Sequence, residues 1–284
     1  MRSTLHVVLA GLLLASAHVA GASPEVAITP PEARPGEVLF ATLVPEGELL
    51  RAACSWRGRS YPFLGDAPGY SVILPVPAGA RPGSYRATVY WKYSDGRAGT
   101  IKRSVEVRPR RFGVQRLRLS RSQERQYSAP ETEREYELIG SALDLVSPER
   151  HWRGSFILPV QGRISTQYGL ERWVNGRFSY RHRGVDIAAP EGTAVAAPAD
   201  GVVSLADDSF QLHGQTVVVD HGHGVSTLYL HLSRIEVSPG ERVAQGQTIG
   251  RVGSSGVATG PHLHFAVYAY HEAVDPLFWT RLPR

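Results

Sequence analysis

With 284 residues, of which 42% are hydrophobic, the chain has the length and apolar content of two packed domains and is not expected to be disordered. Its formal net charge of +5 favours anionic surfaces, but no aromatic-and-basic RNA-binding motif accompanies it, so nucleic acid is not an expected partner. The single cysteine, Cys54, excludes an internal disulfide, and its strand-like segment makes a buried free thiol a better interpretation than a catalytic one.

The first 22 residues have the pattern of a secretory signal peptide. Arg2 precedes an apolar run over residues 7–17, and an Ala-x-Ala end predicts cleavage after Ala22. The apolar run is too short to cross a bilayer, so we expect no membrane span in the mature chain. That chain would begin at Ser23 and act outside the cytoplasm, in the periplasm or in the extracellular space.

Residues 23–108 alternate short β-rich runs with turn signals. The turns fall at Pro35-Gly36, Pro82-Gly83 and Asp95-Gly96, which is the spacing of an antiparallel sandwich. The predicted strands cover residues 26–28, 38–43, 71–74, 85–91 and 101–107. We therefore predict an immunoglobulin-like β-sandwich domain that spaces or guides a second domain.

Residues 109–150 are predicted to form a basic linker with one short helix. Residues 108–126 hold a dense set of arginines, which are Arg108, Arg110, Arg111, Arg116, Arg118, Arg121 and Arg125. A solvated strand and linker explains them better than a dedicated polyanion site, although they would attract anionic envelope polymers as partners.

The helix is predicted from its start and from its apolar spacing. Ser128 can cap it, and Pro130 suits its first turn. Apolar residues then recur on one face at Tyr136, Ile139 and Leu143. That face is expected to pack against a domain, which gives the helix a structural role.

Residues 151–284 are again β-rich and predict an antiparallel sheet with loops that wall a groove. The strongest hairpin signal is His221-Gly222-His223-Gly224, because glycine permits positive φ. Its two histidines are expected to be solvated, and His213 and His271 are also poor candidates for a site. Residues 253–256 predict a flexible loop.

Two segments of this half place histidines in strands. His262 and His264 are two apart, so both imidazoles share one face of a sheet while Leu263 takes the other. The same alternation places Tyr229 and His231 on one face of their strand, with the intervening leucine on the opposite face. Each of these histidines therefore lies on the face of its strand that does not point into the core.

A third segment adds a carboxylate. His182 and Asp186 are four apart around Gly184, which predicts a turn entering a strand, with Gly184 letting the backbone bend so that both side chains reach one point. Catalytic Zn²⁺ takes imidazole and carboxylate ligands and keeps one position for water. Four histidines and one aspartate therefore form the candidate metal-binding set.

Together these motifs make residues from about 154 to 279 similar to the lysostaphin/LytM-type zinc endopeptidases that cut peptidoglycan. The resemblance rests on His-x-x-x-Asp at His182 and Asp186, Tyr-x-His ending at His231, and His-x-His at His262 and His264. It implies that His182, Asp186 and His264 bind one zinc ion and that His231 and His262 are the catalytic histidines. It also implies an antiparallel metallopeptidase domain over residues 151–284, with peptidoglycan peptides as substrate.

Histidine side chains would carry out the proton transfers of peptide hydrolysis. The sequence has no His-Glu-x-x-His motif, so no glutamate of that kind is available as the base. His231 and His262 are both candidates for the base, and their order of action stays open. Tyr180 is either a donor to the oxyanion or a packing aromatic residue.

Two other functions are alternatives to the peptidase. A non-catalytic envelope protein could keep this fold to bind peptidoglycan or to regulate a wall hydrolase, but all five motif positions are filled. A biotin- or lipoyl-carrier barrel around residues 237–253 would need a lysine at a hairpin tip. The only lysines are Lys92 and Lys102, in the first half of the chain, which excludes a carrier.

Overall fold

The computed structural model describes residues 23–118 and 130–283. The predicted leader, the helix cap at Ser128, and Arg121 and Arg125 of the linker lie outside these ranges. Within them the protein is mainly β, as predicted, with four sheets and two helices. Neither of these helices has the length and apolar content needed to cross a membrane.

The first half of the chain forms a β-sandwich. Its strands are β1 (Glu25–Thr29), β2 (Glu32–Ala33), β3 (Val38–Val44), β4 (Leu49–Trp56), β5 (Arg59–Pro62), β6 (Leu64–Asp66), β7 (Gly69–Pro75), β8 (Gly83–Tyr93) and β9 (Ala98–Val107). One sheet has the order β1-β3-β7-β6 and the other β2-β9-β8-β4-β5. Both contribute to one core, with Leu39 and Leu74 from one sheet and Trp56 and Val89 from the other fully buried.

All five strands predicted in this half are present, and the predicted sandwich is confirmed. Of the other four strands, β4 was indicated only by the strand-like segment around Cys54. The predictions missed β2, β5 and β6, which have two, four and three residues and are too short to show a periodic pattern. Cys54 lies in β4 and is buried, as predicted. Burial raises the pKa of its thiol to about 12, so the thiol is protonated and inert at neutral pH.

The second half is dominated by a ten-stranded antiparallel sheet. The elements after the sandwich are β10 (Val114–Leu117), α1 (Pro130–Leu143), β11 (Arg163–Thr166), β12 (Glu171–Val174), β13 (Arg177–Arg181), β14 (Val185–Ala188), β15 (Ala194–Ala196), β16 (Gly201–Asp207), β17 (Gln215–Gly222), β18 (Val225–Ile235), β19 (Arg242–Val243), β20 (Thr248–Val252), β21 (His262–Ala269), β22 (Glu272–Val274) and α2 (Pro276–Trp279). The main order is β11-β14-β21-β18-β17-β16-β19. The linker strand β10 lies outside this sheet and extends the β12–β13 hairpin.

The sandwich packs against the large sheet through aromatic rings. The Phe40 ring of β3 lies 6.3 Å from the ring centroids of both Trp152 and Trp279, and the two tryptophans are 5.3 Å apart. Arg110 donates to a carboxylate oxygen of Asp275 at 2.6 Å beside this cluster. Because Trp279 is fully buried, the two halves share one continuous core.

The hairpin between β17 and β18 forms as predicted, with positive φ at the three residues from 222 to 224. The expectation that its histidines are solvated is wrong. His221 contacts the hydroxyl of Thr227 at 2.8 Å, and His223 lies 3.0 Å from the carbonyl oxygen of Pro148 and 3.4 Å from the hydroxyl of Ser71. The turn is buried because the sandwich and the Pro148 segment cover it.

Candidate metal centre

Asp186 and His264 lie directly opposite each other on neighbouring strands, β14 and β21. The next residues along the strands, Ile187 and Leu263, point to the other face and are fully buried. Directly opposed residues of an antiparallel pair have Cβ atoms about 5 Å apart. The register of the sheet therefore places the carboxylate beside the imidazole.

His182 reaches the same point from the turn between β13 and β14. Its backbone N–H donates to the carbonyl oxygen of Leu170 at 2.9 Å, and its Nδ1 lies 3.0 Å from the carbonyl oxygen of Gln167. A carbonyl oxygen only accepts, so Nδ1 carries the proton of the neutral ring. The lone pair of Nε2 then faces Asp186 and His264.

Residue 184 must be glycine because its surroundings leave no space for a side chain. A Cβ atom at this position would collide with the carbonyl oxygen of Phe265 and lie 2.9 Å from Nε2 of His264. Gly184 is not one of the described glycines with positive φ. The backbone bends at Gly184 before β14, as predicted, and the close approach of β21 is what requires glycine there.

Three potential ligand atoms converge. Nε2 of His182 lies 3.1 Å from Nδ1 of His264, and Oδ1 of Asp186 lies 3.0 Å from the former and 2.9 Å from the latter. A tetrahedral zinc ion with bonds of about 2.0–2.1 Å separates its ligand atoms by about 3.3 Å. With Nδ1 of His182 held by Gln167, Nε2 of the ring faces the carboxylate oxygen of Asp186, where a shared cation would bind both atoms. The donor set therefore fits one zinc ion.

The protonation states suit the same donor set. Burial raises the pKa of Asp186, but the imidazoles of His182 and His264 against it outweigh burial and hold that pKa far below its usual range. Burial lowers the pKa of His264 to about 4. At neutral pH the site thus presents an ionised carboxylate and a neutral imidazole, the forms that bind metal.

His231 lies in a bulge of β18. Its φ is 64°, and the register with β17 shifts so that Val217 pairs with Tyr229 but Gln215 pairs with Leu232. One extra residue in a strand reverses the alternation beyond it. The prediction that Tyr229 and His231 share a face is therefore wrong, because Tyr229 is fully buried in the core whereas His231 lines the groove beside the metal centre.

Ser255 holds His231 from the neighbouring loop. Its carbonyl oxygen accepts from Nδ1 of His231 at 2.9 Å. Its hydroxyl accepts from the N–H of Gln215 at 2.9 Å and donates to the carbonyl oxygen of Leu232 at 2.6 Å. The loop predicted to be flexible is thus anchored at Ser255, and Nε2 is the basic nitrogen of His231.

His262 stands beside His231, with ring centroids 5.0 Å apart. Its Nδ1 donates to the carbonyl oxygen of Gly260 at 2.8 Å, which leaves Nε2 as the basic nitrogen here also. Burial, followed by the nearby His264, lowers the pKa of His231 to about 3, so that ring is neutral at pH 7. The structure thus brings all five predicted site residues together.

Helix α1 forms one wall of the groove. Tyr136, Ile139 and Leu143 line it, together with Leu228 and Leu230 from β18. Ile139 and Leu143 are buried against these leucines, as the predicted packing face requires, whereas Tyr136 stays half exposed. The helix therefore shapes the groove as well as supporting the sheet.

Glu135 fastens this helix to the loop before β17. Its buried carboxylate accepts the backbone N–H groups of Gln211, Leu212 and His213 at 2.5, 3.1 and 3.0 Å, and Nδ1 of His213 at 2.7 Å. Burial raises the pKa of Glu135, but these hydrogen bonds outweigh it and the pKa lies below 4.5. Burial lowers the pKa of His213 more than Glu135 raises it, so the contact joins a carboxylate to a neutral ring.

We expect Glu135→Ala to lower the free energy of unfolding by about 2–3 kcal/mol, because three backbone donors lose their acceptor. Glu137→Ala, on the exposed side of the same helix, is the matched control and should change it by less than about 0.5 kcal/mol. Urea titrations followed by tryptophan fluorescence measure both. Equal stability of the two variants would show that the carboxylate does not hold the helix.

Low pH should remove the stabilisation that the Glu135 carboxylate gives to the fold. A carboxyl group whose folded pKa lies below its unfolded pKa stabilises the fold above the unfolded value and loses that effect as pH falls through the folded value. The stability difference between the wild type and Glu135→Ala should therefore shrink as the pH falls below 4.5.

Three residues that orient this site were missed by sequence reasoning. Glu135 holds the groove wall, Ser255 holds His231, and Arg172 contacts the second carboxylate oxygen of Asp186 at 3.4 Å. Each acts on a residue of another element, so no local pattern in the sequence signals its role.

The profile of Peptidase family M23 matches residues 180–276, a span that contains all five predicted site residues. A peptidoglycan DD-endopeptidase of Vibrio cholerae, ShyC, is 45% identical over 105 residues, which are 36% of this chain and 24% of that protein. The murein hydrolase activator EnvC of Escherichia coli is 40% identical over 148 residues, which are 52% of this chain and 33% of that protein. The match thus spans about a third or less of the length of these two relatives.

A solved structure extends the similarity to the sandwich. A peptidase M23 structure from Pseudomonas aeruginosa has 26% sequence identity and a TM-score of 0.65, and the alignment covers 90% of this chain and 97% of that one. The family resemblance recognised from the motifs is confirmed, because residues 180–276 form a domain of peptidase family M23.

Proposed function

We propose that this protein is an exported zinc-dependent endopeptidase that hydrolyses peptide bonds in the stem peptides or cross-links of peptidoglycan. The observation that carries the proposal is the convergence of His182, Asp186 and His264, whose facing nitrogen and oxygen atoms lie within 3.1 Å of one another. The substrate class is supported by the V. cholerae relative, a peptidoglycan DD-endopeptidase.

His182, Asp186 and His264 would hold one zinc ion. When bound, the ion supplies Lewis acidity, which polarises the scissile carbonyl and brings the pKa of water toward about 7, so that water becomes the nucleophile. Asp186 contributes the negative charge, and the hydrogen bond from Nδ1 of His182 to Gln167 keeps the ring of His182 in one orientation.

His231 and His262 would carry the protons. Backbone carbonyls of Ser255 and Gly260 hold their Nδ1–H groups, which leaves a basic Nε2 on each ring. One ring would take the proton of the attacking water, and that proton would then pass to the departing amine, directly or through the other ring. Because the ring centroids are 5.0 Å apart, both rings can serve the same scissile bond.

Tyr180 would donate to the developing oxyanion. Its oxygen accepts a hydrogen bond from Nη1 of Arg172 at 2.7 Å, and a guanidinium can only donate. The tyrosine therefore keeps its own O–H for another acceptor, and its side chain lines the groove beside His182. This contact favours the oxyanion role over packing alone.

Export and the division into domains belong to the same proposal. The leader pattern of residues 1–22 supports release into the periplasm or beyond the cell, where peptidoglycan lies. We propose that residues 23–108 space or guide the enzyme domain of residues 151–284 across the linker of residues 109–150. Anionic envelope polymers are weaker candidates as partners, because Arg108 and Arg110 already pair with Glu32 and Asp275.

The test is digestion of purified sacculi by the mature chain, with released muropeptides identified by mass. We expect new peptide ends and about one zinc per chain, with cleavage stopped by a chelator and restored by added zinc. Cleavage that persists in a verified zinc-free sample would contradict metal catalysis.

The same assay separates the second hypothesis, a non-catalytic protein that binds peptidoglycan or regulates a wall hydrolase. The E. coli relative, a murein hydrolase activator, supports that alternative. Sacculi that bind the zinc-loaded protein but gain no new peptide ends would favour it over the peptidase.

A further inference from the structure

We propose that Arg172 is a positioning residue that orients Asp186 and Tyr180 and is itself set by the linker strand β10. This inference rests on the proposed zinc site. It adds a residue from outside the span of residues 180–276 that matches the family profile.

The guanidinium of Arg172 has a separate partner for each nitrogen. Nε donates to the side-chain oxygen of Gln115 at 3.0 Å, Nη1 to the hydroxyl of Tyr180 at 2.7 Å, and Nη2 to Oδ2 of Asp186 at 3.4 Å. The side chain is only 17% exposed. Because the guanidinium is a rigid planar fork, it fixes its three partners relative to one another.

The contact with Asp186 distinguishes the two carboxylate oxygens. Oδ1 faces His182 and His264 at 3.0 and 2.9 Å, whereas Oδ2 faces Arg172. Rotation of the carboxylate out of this plane would break the contact with the guanidinium. Arg172 therefore fixes the plane of the carboxylate, with one of its two equivalent oxygens in front of the two imidazoles. Partners that orient a ligand in this way typically change metal affinity about 10-fold to 100-fold.

Gln115 connects this network to the linker. Strand β10 pairs in parallel with β12, with Gln115 opposite Arg172. The chain segment that leaves the sandwich thus reaches Asp186 through two consecutive side-chain contacts. A domain cut at residue 151 would lack β10, so the network is complete only in the longer chain.

The test compares Arg172→Met with Arg177→Met, an exposed arginine in the same hairpin, in the full mature chain. Zinc affinity is measured by competition with a chromogenic chelator, and thermal unfolding of the metal-free protein is measured alongside. We expect Arg172→Met to weaken zinc binding about 10-fold to 100-fold, with the metal-free unfolding midpoint close to that of Arg177→Met. Arg177→Met should bind zinc like the wild type.

A purely structural role gives the opposite result. The metal-free midpoint of Arg172→Met would then fall while its zinc affinity stayed at the wild-type value, and this would overturn the proposal. If Arg172→Met shows no cooperative unfolding, Arg172→Lys takes its place, because lysine keeps the charge and stem but lacks the fork. Wild-type zinc affinity in Arg172→Lys would likewise overturn it, and a loss of about 10-fold supports it.

Zinc affinity is read without substrate, so the two proposals can fail separately. A wild-type protein that binds zinc but leaves sacculi uncut would end the proposed function and leave the comparison of Arg172 variants valid. In an active protein, Arg172→Met should lower kcat more than it raises KM, because its partners act on the reacting groups rather than on remote parts of the substrate.

Discussion

His264→Ala is expected to abolish stoichiometric zinc binding and to lower hydrolysis of sacculi by at least about a thousandfold. The substitution removes one of three ligand atoms that lie within 3.1 Å of one another and leaves the buried carboxylate of Asp186 without its closest imidazole. Metal-ion catalysis contributes several kcal/mol to the transition state, and about 4 kcal/mol corresponds to a thousandfold in rate.

Metal content after dialysis and the rate of muropeptide release measure the two effects. His271→Asn is the control for zinc binding, because His271 is half exposed and pairs with Asp144 at the surface, and asparagine tolerates its φ of 66°. It should keep wild-type zinc content. One zinc per chain in dialysed His264→Ala would show that the ion binds elsewhere and would end the assignment of this cluster.

His231→Asn is expected to keep the zinc ion while losing turnover by about 10²-fold to 10⁴-fold, the usual contribution of a general acid or base. Asparagine is the better substitution because His231 has a φ of 64°, a conformation that asparagine tolerates and alanine does not. His262→Ala should have the same signature, since His262 is held beside His231 by its own carbonyl partner.

The double variant tests whether the two rings act on one bond. If they do, its loss of turnover should be smaller than the product of the two single losses. Loss of zinc from His231→Asn would make His231 a metal ligand instead, and wild-type turnover in either single variant would remove that residue from catalysis. Zinc content, turnover and thermal midpoint are measured together so that unfolding is not mistaken for lost chemistry.

Features that depend on neighbouring residues along the chain could be predicted from the sequence. The two-residue period of a strand puts His262 and His264 on one face of β21 and Leu263 in the core. The glycines of residues 222–224 permit positive φ, and the hairpin forms there. The five sandwich strands, the buried Cys54 and the apolar face of α1 follow from similar local patterns.

The same local reasoning failed where another element intervenes. Alternation was applied to β18, but the bulge reverses it at His231. Solvation was expected at the histidines of the hairpin turn, but the sandwich and the Pro148 segment cover them. The bend at Gly184 was predicted, but its need for space was not, because that need comes from β21, which is about 80 residues away along the chain.

The sequence by itself determined the β class of both halves, the family motifs and the residue types of the site, because strand period and turn chemistry act over a few residues. Only the tertiary structure decided that Asp186 stands opposite His264, 78 residues away, and that Ser255, Glu135 and Arg172 orient the groups around the groove. Strand register and side-chain contacts between distant elements are set when the sheets assemble around a shared core, and they leave no period in the chain.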